Sequence, residues 1–150
     1  MRSQRQEKEI KTARDALALL CRLSYEKFGK DVLILIEEVC YKLGVADSRK
    51  IEGNLSNLDF KTINEMFIGN LKKQGFLIEV IELSQKKRHS KFYGPCPLGL
   101  ENTSFDLCKA VMALDKGLFE AAIGKRVGLD IIKSKAAGDS YCETLWSLID

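Results

Sequence analysis

Three cysteines, two carboxylates and two lysines in the last third of this 150-residue chain have the types and spacing to do chemistry together. Cys96 stands between Pro95 and Pro97, Cys108 near a helix start, and Cys142 just after a turn containing Gly138 and Asp139, so a compact fold can bring the three thiols together. A thiolate near a helix N-terminus or a cation has a lowered pKa and becomes a nucleophile or a metal ligand. Cys142 and Cys108 are therefore the catalytic candidates. Asp139 and Glu143 are carboxylates that can act as a general base or hold an amidine-like cation. Lys133 and Lys135 alternate onto one face of the strand entering the turn, where they can receive a substrate carboxylate.

The same residues support a metal reading. Cys96, Cys108 and Cys142, with Glu143 or His89 as a fourth ligand, supply the donor types zinc takes, although the tight ligand pairs usual in structural zinc sites are absent. Zinc is thus the candidate cofactor. Each residue also has a plainer role: the thiols as small buried hydrophobes, Asp139 as a turn aspartate, Glu143 and the lysines on a solvated face. Cys21 and Cys40 lie on apolar helix stripes and read as core. His89, the sole histidine, is expected in an exposed basic turn. With no second histidine and no Gly-x-Ser-x-Gly, an ordinary serine hydrolase triad is not expected.

The elements that must position these groups follow from periodicity. Ile10, Ala13, Leu17, Leu20, Cys21, Ser24 and Phe28 recur at three and four and predict a helix ended by Gly29. Asp31 caps a second, with Val32, Leu35, Ile36, Val39, Cys40 and Leu43 as its stripe and Gly44 as its stop. After a polar loop over residues 46–58, with a short helical turn near 48–52, Asp59 caps a third helix carrying Phe60, Ile63, Phe67 and Leu71. Residues 76–83 read as a strand, 85–90 as an exposed turn and 91–93 as the return strand. Ser104 caps a fourth helix with Phe105, Cys108, Val111 and Met112, a break follows at residues 115–117, and residues 127–135 and 140–149 form a second hairpin. The expected fold is α+β: N-terminal helices packed on a four-stranded antiparallel sheet made of two hairpins with an intervening helix. One domain over residues 1–150 is expected, with residues 1–9 frayed.

A composition of 45% hydrophobic and 30% charged residues is that of a globular chain rather than a disordered one. No apolar run is long enough to span a bilayer and no export signal is visible, so a cytoplasmic protein with reduced thiols is expected. A net charge of +3 is too small to require a polyanion. With no aromatic platform or phosphate loop, nucleic acid is not an expected partner. The expected partner is a small-molecule substrate or ligand, and a homodimer is the default assembly.

Cys96-Pro97, Cys108 with Asp115 downstream, and the segment Ala137-Gly138-Asp139-Ser140-Tyr141-Cys142 together resemble the L-2-amino-thiazoline-4-carboxylic acid hydrolase family. The likeness is specific in the last third of the chain. The Gly-Asp-x-x-Cys hairpin is also similar to the end of the 4-vinyl reductase type domain, a small-ligand-binding module that holds zinc through cysteines and glutamate in bacterial sensors. Both families often place an aromatic two residues after that cysteine, where this chain has Thr144. The first resemblance implies opening of a cyclic amidine or isothiourea to an N-carbamoyl amino acid. Cys142 or Cys108 would serve as nucleophile, Asp139 or Glu143 would hold the amidinium, and Lys133 or Lys135 the carboxylate. The second implies a non-catalytic sensor or carrier.

Overall fold

The computed structural model describes residues 8–50 and 58–149. The first helix, α1 (Ala13–Phe28), is opened by a capping box in which the Thr12 hydroxyl accepts from the Asp15 backbone N–H at 3.1 Å and Asp15 accepts from the Thr12 N–H at 3.2 Å. The helix thus begins three residues later than the apolar repeat. Lys8, 2.8 Å from Asp15, and the backbone of Lys11 hold that carboxyl down to a pKa of about 2. A 3₁₀ turn, Gly29–Val32, leads into α2 (Leu33–Ser48). Asp31 does not cap α2, contrary to expectation: it lies inside the 3₁₀ turn, and Val32 in the cap position has no side-chain acceptor.

Gly44 does not stop α2 either. It faces α5 (Ala113–Ile123), where an added Cβ would overlap the Leu114 carbonyl, and the opposing Gly117 meets the Tyr41 carbonyl in the same way. The two helices cross backbone against backbone, so these glycines serve close approach rather than termination. For the same reason the expected break at residues 115–117 is absent. α5 runs through it, and the boundary with α4 (Phe105–Val111) lies at Met112. Ser104 caps α4 as its sequence implies, accepting from Asp106 and Leu107 N–H groups. The buried face of α4 is Leu107, Ala110 and Val111, with Phe105 turned outward.

Asp59 caps α3 (Phe60–Lys73) by accepting from the Thr62 N–H at 2.7 Å, and Gly75 follows its end at φ 91°. The short helical turn expected near 48–52 falls largely outside the described residues. Four strands follow: β1 (Leu77–Leu83), β2 (Lys87–Tyr93), β3 (Val127–Lys133) and β4 (Cys142–Leu148). All neighbours are antiparallel in the order β1-β2-β4-β3, so the hairpins join through β2 and β4. The first hairpin turn is shorter than residues 85–90. Ser84 closes it by accepting from the Lys86 and Lys87 N–H groups, and Lys87-Arg88-His89-Ser90 is strand. Local polarity suggested a turn there, but cross-strand pairing with β4 overrides it.

Two cores hold the layers. One joins α1, α2, α4 and the first turn of α5 around Cys21, Ile36, Cys40, Leu107 and Leu114. The other joins α3, α5 and the sheet around Phe60, Ile63, Phe119, Val127 and Trp146. The apolar stripes of α1 and α2 are wider than the first core covers, leaving Leu20, Leu23, Phe28, Ile34, Leu35 and Val39 exposed. Among the described residues no helix is long and apolar enough to cross a membrane.

Candidate functional site

Strand alternation sorts the candidates onto two faces of the sheet. Toward the helices point Arg88, Ser90, Cys142 and Trp146; on the other face lie His89, Lys91 and Glu143. On the outer face four charges stand in register, Glu79 opposite Lys91, Lys91 opposite Glu143 and Glu143 opposite Lys133. His89 is strand rather than exposed turn, and its Nε2 lies 2.6 Å from Glu143 Oε2, with the glutamate side chain only 12% exposed. Tyr93 and Tyr141 rings lie 5.8 Å apart beside Lys91, and Tyr93 donates to Glu79.

On the inner side the structure does gather the three thiols. Cys142 lies close enough to Cys96 to bear on its pKa, and both bear on that of Cys108. Burial pushes the Cys96 thiol up and the Cys108 thiol up to about 11, only partly opposed at Cys108 by the Ser134 hydroxyl. Cys108 is thus a protonated thiol at neutral pH and a poor nucleophile. Cys142 Sγ accepts from the Lys135 N–H at 3.4 Å. Asp139, after Gly138 at φ 96°, closes its own turn by accepting from the Ser134 N–H at 2.9 Å. Glu143 and Lys133 are therefore separated from the thiols by the sheet, and Lys135 lies in the 3₁₀ turn Lys135–Ala137. Among the described residues no three His, Cys, Asp or Glu side chains stand where they could hold a metal ion.

Farther along the same interlayer lies a group that the sequence reading missed. Arg88, 4% exposed, places its guanidinium carbon 5.2 Å from the Phe67 ring centre and 5.6 Å from that of Phe119. Phe119 in turn meets Phe67 and Trp146 edge to face, at 5.2 Å and 5.0 Å. Arg88 and Trp146 are direct cross-strand partners. Arg88 Nε and Trp146 Nε1 are buried with no hydrogen-bond partner, as is Asn64 Oδ1 one turn before Phe67 on α3. Asn64 spends its amide N–H on the Phe60 carbonyl, 2.8 Å away. Asp115 faces this group from α5. Burial raises its carboxyl to about 6 against the pull of Arg88 and Arg14, and among the described residues it makes no ion pair with Arg88.

Unpartnered buried polar atoms are uncommon because each costs roughly 1–3 kcal/mol. Arg88, Trp146 and Asn64 each carry one such atom. By contrast, the shallow groove of about 260 Å³ beside Tyr41, Lys125 and Arg126 is fully bonded at its acid, since Glu120 accepts from Tyr41 and from the Val127 N–H. The signal for Arg88 was present in the alternation of Arg88, Ser90 and Phe92, which puts arginine on the strand face carrying a half-buried phenylalanine.

No family model and no curated protein matches the chain. Solved structures do. A trafficking protein particle complex subunit 3 from Naegleria fowleri, covalently bound to palmitic acid, superposes with a TM-score of 0.64 at 18% identity over 92% of this chain and 96% of that one. The phenol-responsive sensory domain of the transcription activator PoxR, with phenol, gives 0.59 at 15% identity over 93% of this chain and 76% of that one. The chain shares their α+β fold.

Proposed function

We propose that this chain is a non-catalytic small-ligand-binding domain, a sensor or carrier, whose ligand lies between the sheet and the helices beside Arg88 and Trp146. The observation that carries this reading is the set of three buried polar atoms without partners inside an aromatic frame. Phenol and palmitic acid, held by two proteins of the same fold, support an apolar or aromatic ligand here. The cyclic-amidine hydrolase reading needs a thiol nucleophile, a carboxylate and a lysine around one substrate. Here Glu143 and Lys133 lie across the sheet from the thiols, Asp139 is engaged by its own turn, and Cys108 holds its proton.

Native mass spectrometry of the freshly reduced protein tests the reading, reporting retained ligand, zinc and assembly in one spectrum. Trp146, the only tryptophan, then reports binding of phenol or palmitate by fluorescence. Saturable binding without turnover of 2-amino-thiazoline-4-carboxylate supports the sensor or carrier. Turnover that disappears in Cys142→Ser and Cys108→Ser would return the hydrolase. We also propose that the exposed apolar residues of α1 and α2 pair two copies of the chain, because these two helices leave six large apolar side chains exposed. A monomer mass for the native protein at micromolar concentration would remove that proposal.

A further inference from the structure

We infer that Cys21 and Cys40 are a redox-sensitive pair that closes to a disulfide under a two-electron oxidant such as hydrogen peroxide, fastening α1 to α2 inside the first core. The pair is independent of any ligand beside Arg88. The first ground is placement. A short 3₁₀ turn joins α1 to α2, and Cys21, 5% exposed, and Cys40, 1% exposed, enter one buried cluster from the two helices. The second is partnership. The late thiols are bonded to groups other than cysteine, Cys108 to the Ser134 hydroxyl and Cys142 to the Lys135 N–H, whereas Cys21 and Cys40 are hydrogen-bonded to each other. The third is acidity. The bond from Cys40 holds the Cys21 thiol below its ordinary range against the opposing effect of burial, and the same bond with burial raises Cys40. Cys21 is therefore the readier thiolate, the species that an oxidant attacks.

The Cys21 thiolate attacks one peroxide oxygen, the O–O bond breaks, and the departing hydroxide takes up the proton Cys21 released, leaving water and a sulfenic acid at Cys21. The Cys40 sulfur then attacks the Cys21 sulfur. The S–S bond forms, the S–O bond breaks, and hydroxide leaves with the Cys40 proton as a second water, so the two cysteines lose the two electrons that peroxide gains. The experiment treats the freshly reduced full chain with excess hydrogen peroxide at pH 7.5, alkylates the remaining thiols and digests with trypsin without reduction. Cleavage at Arg14, Arg22, Lys30 and Lys42 places the two cysteines on separate peptides, 15–22 and 31–42, which only a disulfide can join. We expect the linked peptide, two hydrogens lighter than the sum of its parts and released by dithiothreitol. The melting temperature of the oxidised chain should rise by roughly 5–10 °C, because the bond constrains the unfolded chain, and dithiothreitol should reverse the rise. Cys21→Ala and Cys40→Ala, shown to be folded by circular dichroism, should give neither the linked peptide nor the rise. Peptides 15–22 and 31–42 recovered separately from the wild type, alkylated or over-oxidised, overturn the pair. A linked peptide with an unchanged or lower melting temperature overturns its fastening role.

Discussion

The two ends of the interlayer use polar groups in opposite ways. Around Cys96, Cys108 and Cys142 each group has a partner: Ser134 bonds Cys108, Lys135 donates to Cys142, and Asp139 closes on Ser134. Around Arg88 the polar atoms are just as buried and have none. The first arrangement is what a chain does to make a hairpin turn sit firmly on a helix. The second costs stability in the free protein, and a cost of that kind persists when a bound molecule repays it. On the reading proposed above, the residues with the most reactive chemistry serve structure, while an arginine in a polar strand marks the site.

The sharpest way to break this comparison is to disturb the frame that both ends share. Gly44→Ala or Gly117→Ala drives a methyl group into a backbone carbonyl at the α2–α5 crossing, where neither side has a movable side chain. We expect a loss of about 3 kcal/mol or more, at the upper end of overpacking costs, or failure to fold. Chemical denaturation measures it. A loss below about 1 kcal/mol would mean that the crossing relaxes easily.

That crossing also shows where sequence was and was not informative. Asp59 and Ser104 were legible because capping is local: one side chain and a backbone N–H two or three residues on. The gathering of Cys96, Cys108 and Cys142 was legible too, since prolines, a cap and a turn fix their positions along the chain. Gly44 and Gly117 were misread as punctuation because a glycine used for close approach looks the same as one used to end a helix until its partner is known. Lys87-Arg88-His89-Ser90 was misread as a turn because its strand character comes from pairing on both sides, with β1 and with β4, the latter more than fifty residues away.

The second test concerns the charge beside Arg88. Asp115 has its folded pKa raised from 3.8 to about 6, chiefly by burial. Its contribution to stability is therefore fully present below pH 3.8 and is lost as pH rises through about 6. Asp115→Asn should stabilise the chain by on the order of 2 kcal/mol at pH 7.5 and change little at pH 3.5. Thermal melts across that range check it. A gain of equal size at both ends would assign the effect to packing and not to titration.

Arg88 itself should behave as a binding group held at a cost. In the Asp115→Asn background, Arg88→Met replaces a buried cation lying over two rings with a flexible apolar chain of similar reach. We expect the ligand-free protein to gain about 1 kcal/mol, because relief of the arginine's desolvation outweighs the cation–ring attraction that methionine cannot make. A clear loss of stability would make Arg88 a structural residue and would weaken the distinction between the two ends of the interlayer.

The smallest effect is expected at the thiols, and it tests the other half of the comparison. Cys108 is partly buried, its proton is held up to about 11, and the Ser134 hydroxyl already bonds it. Cys108→Ser keeps the size and offers that hydroxyl a better partner, so stability should change by less than about 1 kcal/mol. A structural thiol of this kind should also react slowly with a disulfide reagent at pH 7.5, because the attacking species is the thiolate and burial suppresses it. Labelling of the native chain followed by mass mapping reads this residue by residue. Slow labelling at Cys108 with fast labelling after denaturation fits a thiol that holds the hairpin against α4. Rapid native labelling at Cys108 would place an accessible thiolate there and reopen a nucleophilic role for the cysteine end.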